Sequence, residues 1–199
     1  ERIDAAQNRF LPMVRAALAR MPVKGRITLS GYEGSELLVA RLLVESGAEL
    51  LSVGTACPRT RWSDPDREWL EARGIPVTFR ASLEADKAAV DAFQPDLAIG
   101  TTPVVQHAKA KGIPALYFTN LISARPLMGP AGAGSLAEVV NGAMANKDRF
   151  DRMKAFFEGV GEGHAAGVWA DTPQDRPQFK AKYAARRIAA ARAEEAVGT

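Results

Sequence analysis

Five short apolar segments, at 26–30, 50–53, 75–79, 97–99 and 113–118, recur with a helix-forming stretch between each pair. Each segment is too short for a helix of ordinary length, and the stretches between them place apolar residues at helical spacing. A chain written this way has few solutions. Strand, helix and strand in regular succession build βαβ units, whose crossovers are right-handed and whose strands lie parallel. The predicted fold class is therefore α/β, an open, mainly parallel sheet with flanking helices.

Local signals place the helices. Residues 4–20 carry Ala6, Phe10, Val14 and Leu18 on one helical face, and Pro22 and Gly25 close that helix. A second helix is expected at 35–46. Asp64 and Pro65 open a third as N-cap and first helical residue, Ser82 caps a fourth that runs to Phe93, and Thr102–Pro103 repeats the cap-plus-proline opening. A long helix is predicted over 136–157, with Ser135 and Glu138 in the capping-box pattern. Its stripe of Leu136, Val139, Val140, Met144, Phe150, Met153 and Phe157 either packs on the core or meets another subunit. After Gly159 the chain turns rich in Gly and Pro before a final helical stretch at 179–197. Three parts are expected: a leading helix at 1–25, an α/β domain closed by the long helix at 26–158, and a Gly/Pro-rich segment with a helical arm at 159–199. The arm has little core of its own, so it wraps a partner or frays.

At 199 residues, with 47% hydrophobic and 25% charged residues, the chain suits one α/β domain with extra helices. It starts at Glu1 in what already reads as helix, so a fragment of a longer polypeptide is expected. No apolar run approaches the ~18 residues that suggest a membrane span. The single cysteine, Cys57, cannot form an internal disulfide. A soluble, cytoplasmic protein is the expectation. The formal charge of +3 is concentrated in the tail, at Lys180, Lys182, Arg186, Arg187 and Arg192. Their alternation with alanines, and the closing Glu194–Glu195, reads as a solvated helix rather than a nucleic-acid surface.

In an open parallel sheet, ligands bind beyond the carboxyl ends of the strands. Four loops are expected there, at 31–35, 54–62, 100–102 and 119–134. The first, Gly31-Tyr32-Glu33-Gly34-Ser35, either lets the backbone pass close to a ligand or simply makes a tight turn. It lacks the dinucleotide fingerprint, strand two ends in Gly54–Thr55 without an acid for a ribose, and no phosphate-binding P-loop is present, so ATP is not expected to bind here. Thr119, Asn120, Leu121, Ile122, Ser123 and Arg125 mix polar and apolar groups at this edge. Arg125 offers a cation for a carboxylate, although the polar side chains also suit a loop that satisfies its own backbone. Cys57 is either a small half-buried residue or one thiolate among cluster ligands from elsewhere. His107 and His164 have no partner at metal spacing, so no mononuclear metal site is expected.

The wording of several segments is specific. FTNLISARPLMGPAGAGSLAEVV resembles the corresponding segment of the chlorophyllide a reductase subunit Y family, a nitrogenase-like component 1 family. GYEGSE after strand one, then VGTACPRT, PDLAIGTTP and GIPALYFTN, follow that family's C-terminal region in order from Arg26 to about Trp169. PDL-x-IG followed by GIP is shared by nitrogenase components generally, and ISARPLMGPAGAG narrows the likeness. The resemblance implies a Rossmann-like nitrogenase component domain within a catalytic component of two Y and two Z chains. It also implies an ATP-dependent iron–sulfur reductase as electron donor and a [4Fe–4S] cluster in the complete complex, with ligands outside this stretch and ATP only on the reductase. The implied reaction is reduction of the C7=C8 bond of chlorophyllide a, in bacteriochlorophyll synthesis. By position, 31–35 and 119–125 would approach the substrate cavity, with Leu121, Ile122, Leu127 and Met128 as apolar walls and Arg125 as cation. A sister enzyme acting on protochlorophyllide, a non-catalytic assembly domain and a nucleotide-sugar enzyme are the other readings. The last lacks a diphosphate loop.

Overall fold

The computed structural model describes residues 2–123 and 129–157. Nearly all of them belong to one compact unit, Glu1–Lys154. Helix α1 (Arg2–Arg20) leads into β1 (Arg26–Gly31), α2 (Glu36–Glu45), β2 (Glu49–Thr55), α3 (Asp64–Glu71) and β3 (Val77–Phe79). There follow α4 (Leu83–Phe93), β4 (Leu97–Gly100), α5 (Thr102–Ala110), β5 (Ala115–Tyr117), α6 (Phe118–Ser123), α7 (Gly129–Ala145) and α8 (Lys147–Phe157). The five strands form one sheet in the order β3-β2-β1-β4-β5, and every pairing is parallel. The predicted α/β class and all five strands are present.

Side-chain alternation splits the core between the two faces of the sheet. Ile27 and Leu29 of β1, Val53 of β2 and Leu97 and Ile99 of β4 join Val39 and Leu43 of α2 and Leu136 and Val140 of α7 in the larger cluster. On the other face, Ala98 and Ala115 pack with Val90 of α4 and Val104, Val105 and Ala108 of α5. At the start of β1 a register shift between Ile27 and Thr28 sets Thr28 opposite Ser52, so Ser52 and Gly54 share a face with Thr28 and Ser30.

Three local readings change. The polar stretch after β5 is expected as a loop, yet 118–123 is helical. Phe118 and Leu121, three residues apart, are both buried in the core and pin one side of that turn, which leaves Thr119 and Asn120 exposed. The predicted helix over 136–157 is two helices. The first begins at Gly129, so Ser135 lies inside it and not at its N-cap. Glycines disfavour a helix in isolation. Here their small size lets α7 press against α1, where a Cβ on Gly134 would sit 3.8 Å from that of Ala17. Asn146 separates the two helices, its side-chain amide donating to the Gly142 carbonyl at 2.7 Å. Caps also move by one residue, to Ser63 for α3 and Thr101 for α5. The arm expected at 159–199, with His164 and Trp169, lies outside the described residues, as do Arg125, Leu127 and Met128.

Candidate functional site

The strand order reverses between β1 and β4. Chain leaving β1 turns one way and chain leaving β4 the other, so a crevice opens at their carboxyl ends, the position where open α/β sheets bind ligands. A cleft of about 370 Å³ lies there. Tyr32 comes from the end of β1, Gly100, Thr101 and Thr102 from the end of β4, and Tyr117, Thr119 and Asn120 from the end of β5. Three of the four expected loops meet at this cleft. The fourth reaches it indirectly, since Cys57 is half-buried and its thiol donates to the Tyr32 carbonyl at 3.4 Å.

A hydrogen-bonded chain crosses the cleft mouth. The Thr119 hydroxyl donates to Glu33 Oε1 at 3.3 Å, and Tyr32 Oη lies 3.4 Å from Thr119 Oγ1. Because the threonine proton is directed at the carboxylate, the tyrosine is left as donor to the threonine. Residues more than eighty positions apart are thus joined at one edge. Gln106 Nε2 donates to the Tyr117 hydroxyl at 3.3 Å on the far side. Two phenol rings, three threonines and an asparagine make a polar-edged slot that suits a flat ligand with hydrogen-bonding margins.

The residue that builds the first loop escaped the sequence reading. Glu36, the first residue of α2, is fully buried. Its Oε1 accepts from the Glu33 amide at 2.6 Å, and its Oε2 from the Gly34 amide at 2.9 Å and the Thr55 hydroxyl at 3.0 Å. A phosphate in a dinucleotide-binding sheet takes up the loop amides at this helix N-terminus. Here the chain's own carboxyl takes them. Gly31 is required for that fold-back, because a Cβ there would lie 2.5 Å from Glu36 Oε1, and Gly34 turns the loop at φ +83°. The available signal was an acid in the first turn of a helix after a glycine-bounded loop.

The other expected site residues divide. Tyr32, Glu33, Thr119 and Asn120 are exposed at the cleft edge, whereas Leu121 is buried and Ile122 packs against the core, so neither forms a wall of this cleft. Gly31 and Ser35 frame the first loop, with Ser35 as the N-cap of α2 and its hydroxyl making no capping bond. Ser123 ends α6. Among the described residues no cluster of His, Cys, Asp and Glu can hold a metal ion. A [4Fe–4S] cluster takes four thiolates, and this chain has one cysteine, so it cannot hold such a cluster by itself. No helix among the described residues is long and apolar enough to cross a membrane.

Comparison with known proteins agrees with the α/β fold. The chain is 67% identical over 193 residues to the chlorophyllide reductase 52.5 kDa chain of Cereibacter sphaeroides, covering 97% of this chain and 38% of that protein. It is 69% identical over 180 residues to the protein of the same name from Rhodobacter capsulatus, covering 90% and 36%. The chain therefore spans little more than a third of the length of these curated relatives. Among solved structures, one titled nitrogenase Cp1 at pH 6.5 superposes with a TM-score of 0.54 at 18% identity, over 74% of this chain and 34% of the other, a likeness of fold. Residues 1–145 match the family of nitrogenase component 1 type oxidoreductases, and the chain belongs to that family.

Proposed function

We propose that this chain is part of the catalytic component of a chlorophyllide a reductase. In that role the complex adds two electrons and two protons across the C7=C8 bond of chlorophyllide a. The observation that carries the proposal is the near-complete match of this chain to two chlorophyllide reductase chains at 67% and 69% identity. The cleft supports it, because a polar-edged slot between Tyr32, Tyr117, Thr119 and Asn120 suits the rim of a planar macrocycle. The remaining walls come from the rest of the polypeptide and from a Z-type partner subunit. Electrons arrive from a separate ATP-dependent iron–sulfur reductase through a [4Fe–4S] cluster whose ligands lie outside this stretch. Arg125, close in sequence to the cleft, is the proposed cation for a pigment carboxylate.

The test uses the full-length chain, purified anaerobically with its partner and supplied with reductase, ATP and chlorophyllide a. The expected result is a bacteriochlorin absorption spectrum that depends on both ATP and chlorophyllide a. Turnover of protochlorophyllide instead would assign the protein to the sister enzyme. No change in either pigment, beside an active control complex, would leave this domain an assembly role. In the same complex Arg125→Ala should weaken pigment binding, and unchanged affinity would remove Arg125 from the site.

A further inference from the structure

The central strand of the sheet has one apolar face and one hydroxyl face. Ile27 and Leu29 enter the larger core, whereas Thr28 and Ser30 turn toward α4 and α5. Thr28 and Ser30 are only 4% and 5% exposed, and neither hydroxyl has a hydrogen-bond partner among the described residues. Buried hydroxyls without partners are costly and rare in native proteins. These two face a cavity of about 50 Å³ that Ser52, Thr78 and Asp86 also line. On the α4 side the cavity is flanked by Ala85 and Ala89, whose methyl groups fill little of the space. At the ~10–15 Å³ needed for each water-sized sphere, the volume admits roughly three to five waters at most. Its polar lining consists of the hydroxyls of Thr28, Ser30, Ser52 and Thr78 and the carboxyl of Asp86.

Asp86 reaches this space from α4. Its Oδ1 lies so close to Gly54 that any side chain on that residue would strike it. Burial, with a smaller contribution from Glu36 at the start of α2, raises its pKa to about 6. The lining residues from β1, β2, β3 and α5 (Thr28, Ser30, Ser52, Thr78 and Val104) carry no charge, so Glu36 is the charged group acting on Asp86 from a neighbouring element. The chamber also borders the crevice. Gly100 lines the crevice, and Ser30 Oγ is 2.9 Å from the place a Cβ on Gly100 would occupy.

We propose that this partly open cavity is a hydration site, in which ordered water bridges the Thr28 and Ser30 hydroxyls to the Asp86 carboxyl and forms a proton-holding group behind the crevice floor. The inference rests on this chain's own residues and not on the reaction assigned above. Water supplies what the hydroxyls lack, and Asp86 either donates to it as an acid or accepts from it as a carboxylate. A proton taken up at Asp86 is given back along the same water, so the exchange balances without any other reactant.

The full-length protein provides the test. Crystals grown on either side of pH 6 should show water within hydrogen-bond distance of Thr28 Oγ1 and Ser30 Oγ. Infrared difference spectra across the same pH range should show a carboxylic-acid C=O band that is lost as pH rises and is missing in Asp86→Asn. Ser30→Ala should shift that band by removing one of the water's partners, while Asp86→Asn is expected to fold at least as well as the parent. A dry chamber, a cation refined in place of water, or an Asp86 that ionises in the ordinary carboxylate range would each overturn the proposal.

Discussion

The Thr55 hydroxyl donates to Glu36 Oε2 at 3.0 Å, tying the end of β2 to the first turn of α2. Through the same carboxyl, the amides of Glu33 and Gly34 are held in place, so one side chain satisfies three donors around the turn that leads to the cleft. Removing it strands them. Glu36→Ala should destabilise the full-length protein by about 2–4 kcal/mol, measured as a fall in the urea midpoint. Glu36→Gln, which keeps one acceptor oxygen, should lose less. Equal losses for the two variants would mean that packing rather than hydrogen bonding sets the role of Glu36.

Gly31 faces the same carboxyl. A methyl group there meets Glu36 Oε1 at 2.5 Å and the Phe118 ring at 3.0 Å, and neither neighbour is free to retreat, since both are buried. Gly31→Ala should therefore cost about 1–3 kcal/mol. Combined with Glu36→Ala, the cost should be less than the sum of the two, because the clash has been relieved. A purely additive double variant would contradict this contact.

The chain from Tyr32 through Thr119 to Glu33 is exposed, so its contribution to stability is small and its value lies in arranging the cleft edge. Thr119→Val should leave the unfolding midpoint within about 0.5 kcal/mol of the parent, as for most surface substitutions. It should weaken pigment binding by the full complex roughly tenfold or less, the equivalent of one hydrogen bond at about 1 kcal/mol. Absorbance titration with chlorophyllide a measures it. Unchanged affinity would place the pigment away from this edge.

Asp86 links stability to pH. Its carboxyl is raised from 3.8 to about 6 in the folded protein, so the folded state holds its proton after the unfolded chain has released it. Stability from this group is complete below the unfolded value and is lost as pH rises through about 6. Asp86→Asn should accordingly be more stable than the parent at pH 7, by about 1 kcal/mol once screening at a half-exposed group is allowed for. The advantage should vanish in acid. Thermal unfolding of both proteins across that range checks the sign, and an advantage independent of pH would refute the linkage.

At the contact of α1 with α7, a Cβ on Gly134 would lie 3.8 Å from that of Ala17, an ordinary van der Waals contact. Gly134→Ala should be neutral or stabilising by up to about 1 kcal/mol, since the residue lies within a helix. Gly134→Leu should lower the unfolding midpoint by wedging the helices apart. If leucine were tolerated, the two helices would not be packed at this point.

The linear order of residues was enough to specify the sheet. Short apolar segments separated by helical stretches leave parallel βαβ pairing as the way to bury both kinds of element, and proline and serine mark where several helices start. It also determined which strand ends carry polar residues, because those segments stand directly after the apolar runs. Tertiary structure decided what those residues do. Thr119 and Glu33 are joined only because β1, β4 and β5 lie side by side, and Leu121 leaves the polar group because a helical turn rotates it into the core. Glycine-rich 129–134 reads as loop until α1 is present to reward its small side chains with close packing. Glu36 reads as an ordinary first-turn acid until Gly31, Gly34 and Thr55 are brought around it, and Thr28 and Ser30 as ordinary strand residues until α4 covers them. Periodicity records which side of an element is apolar. What stands opposite that side depends on contacts between distant parts of the chain, and only the folded molecule brings those together.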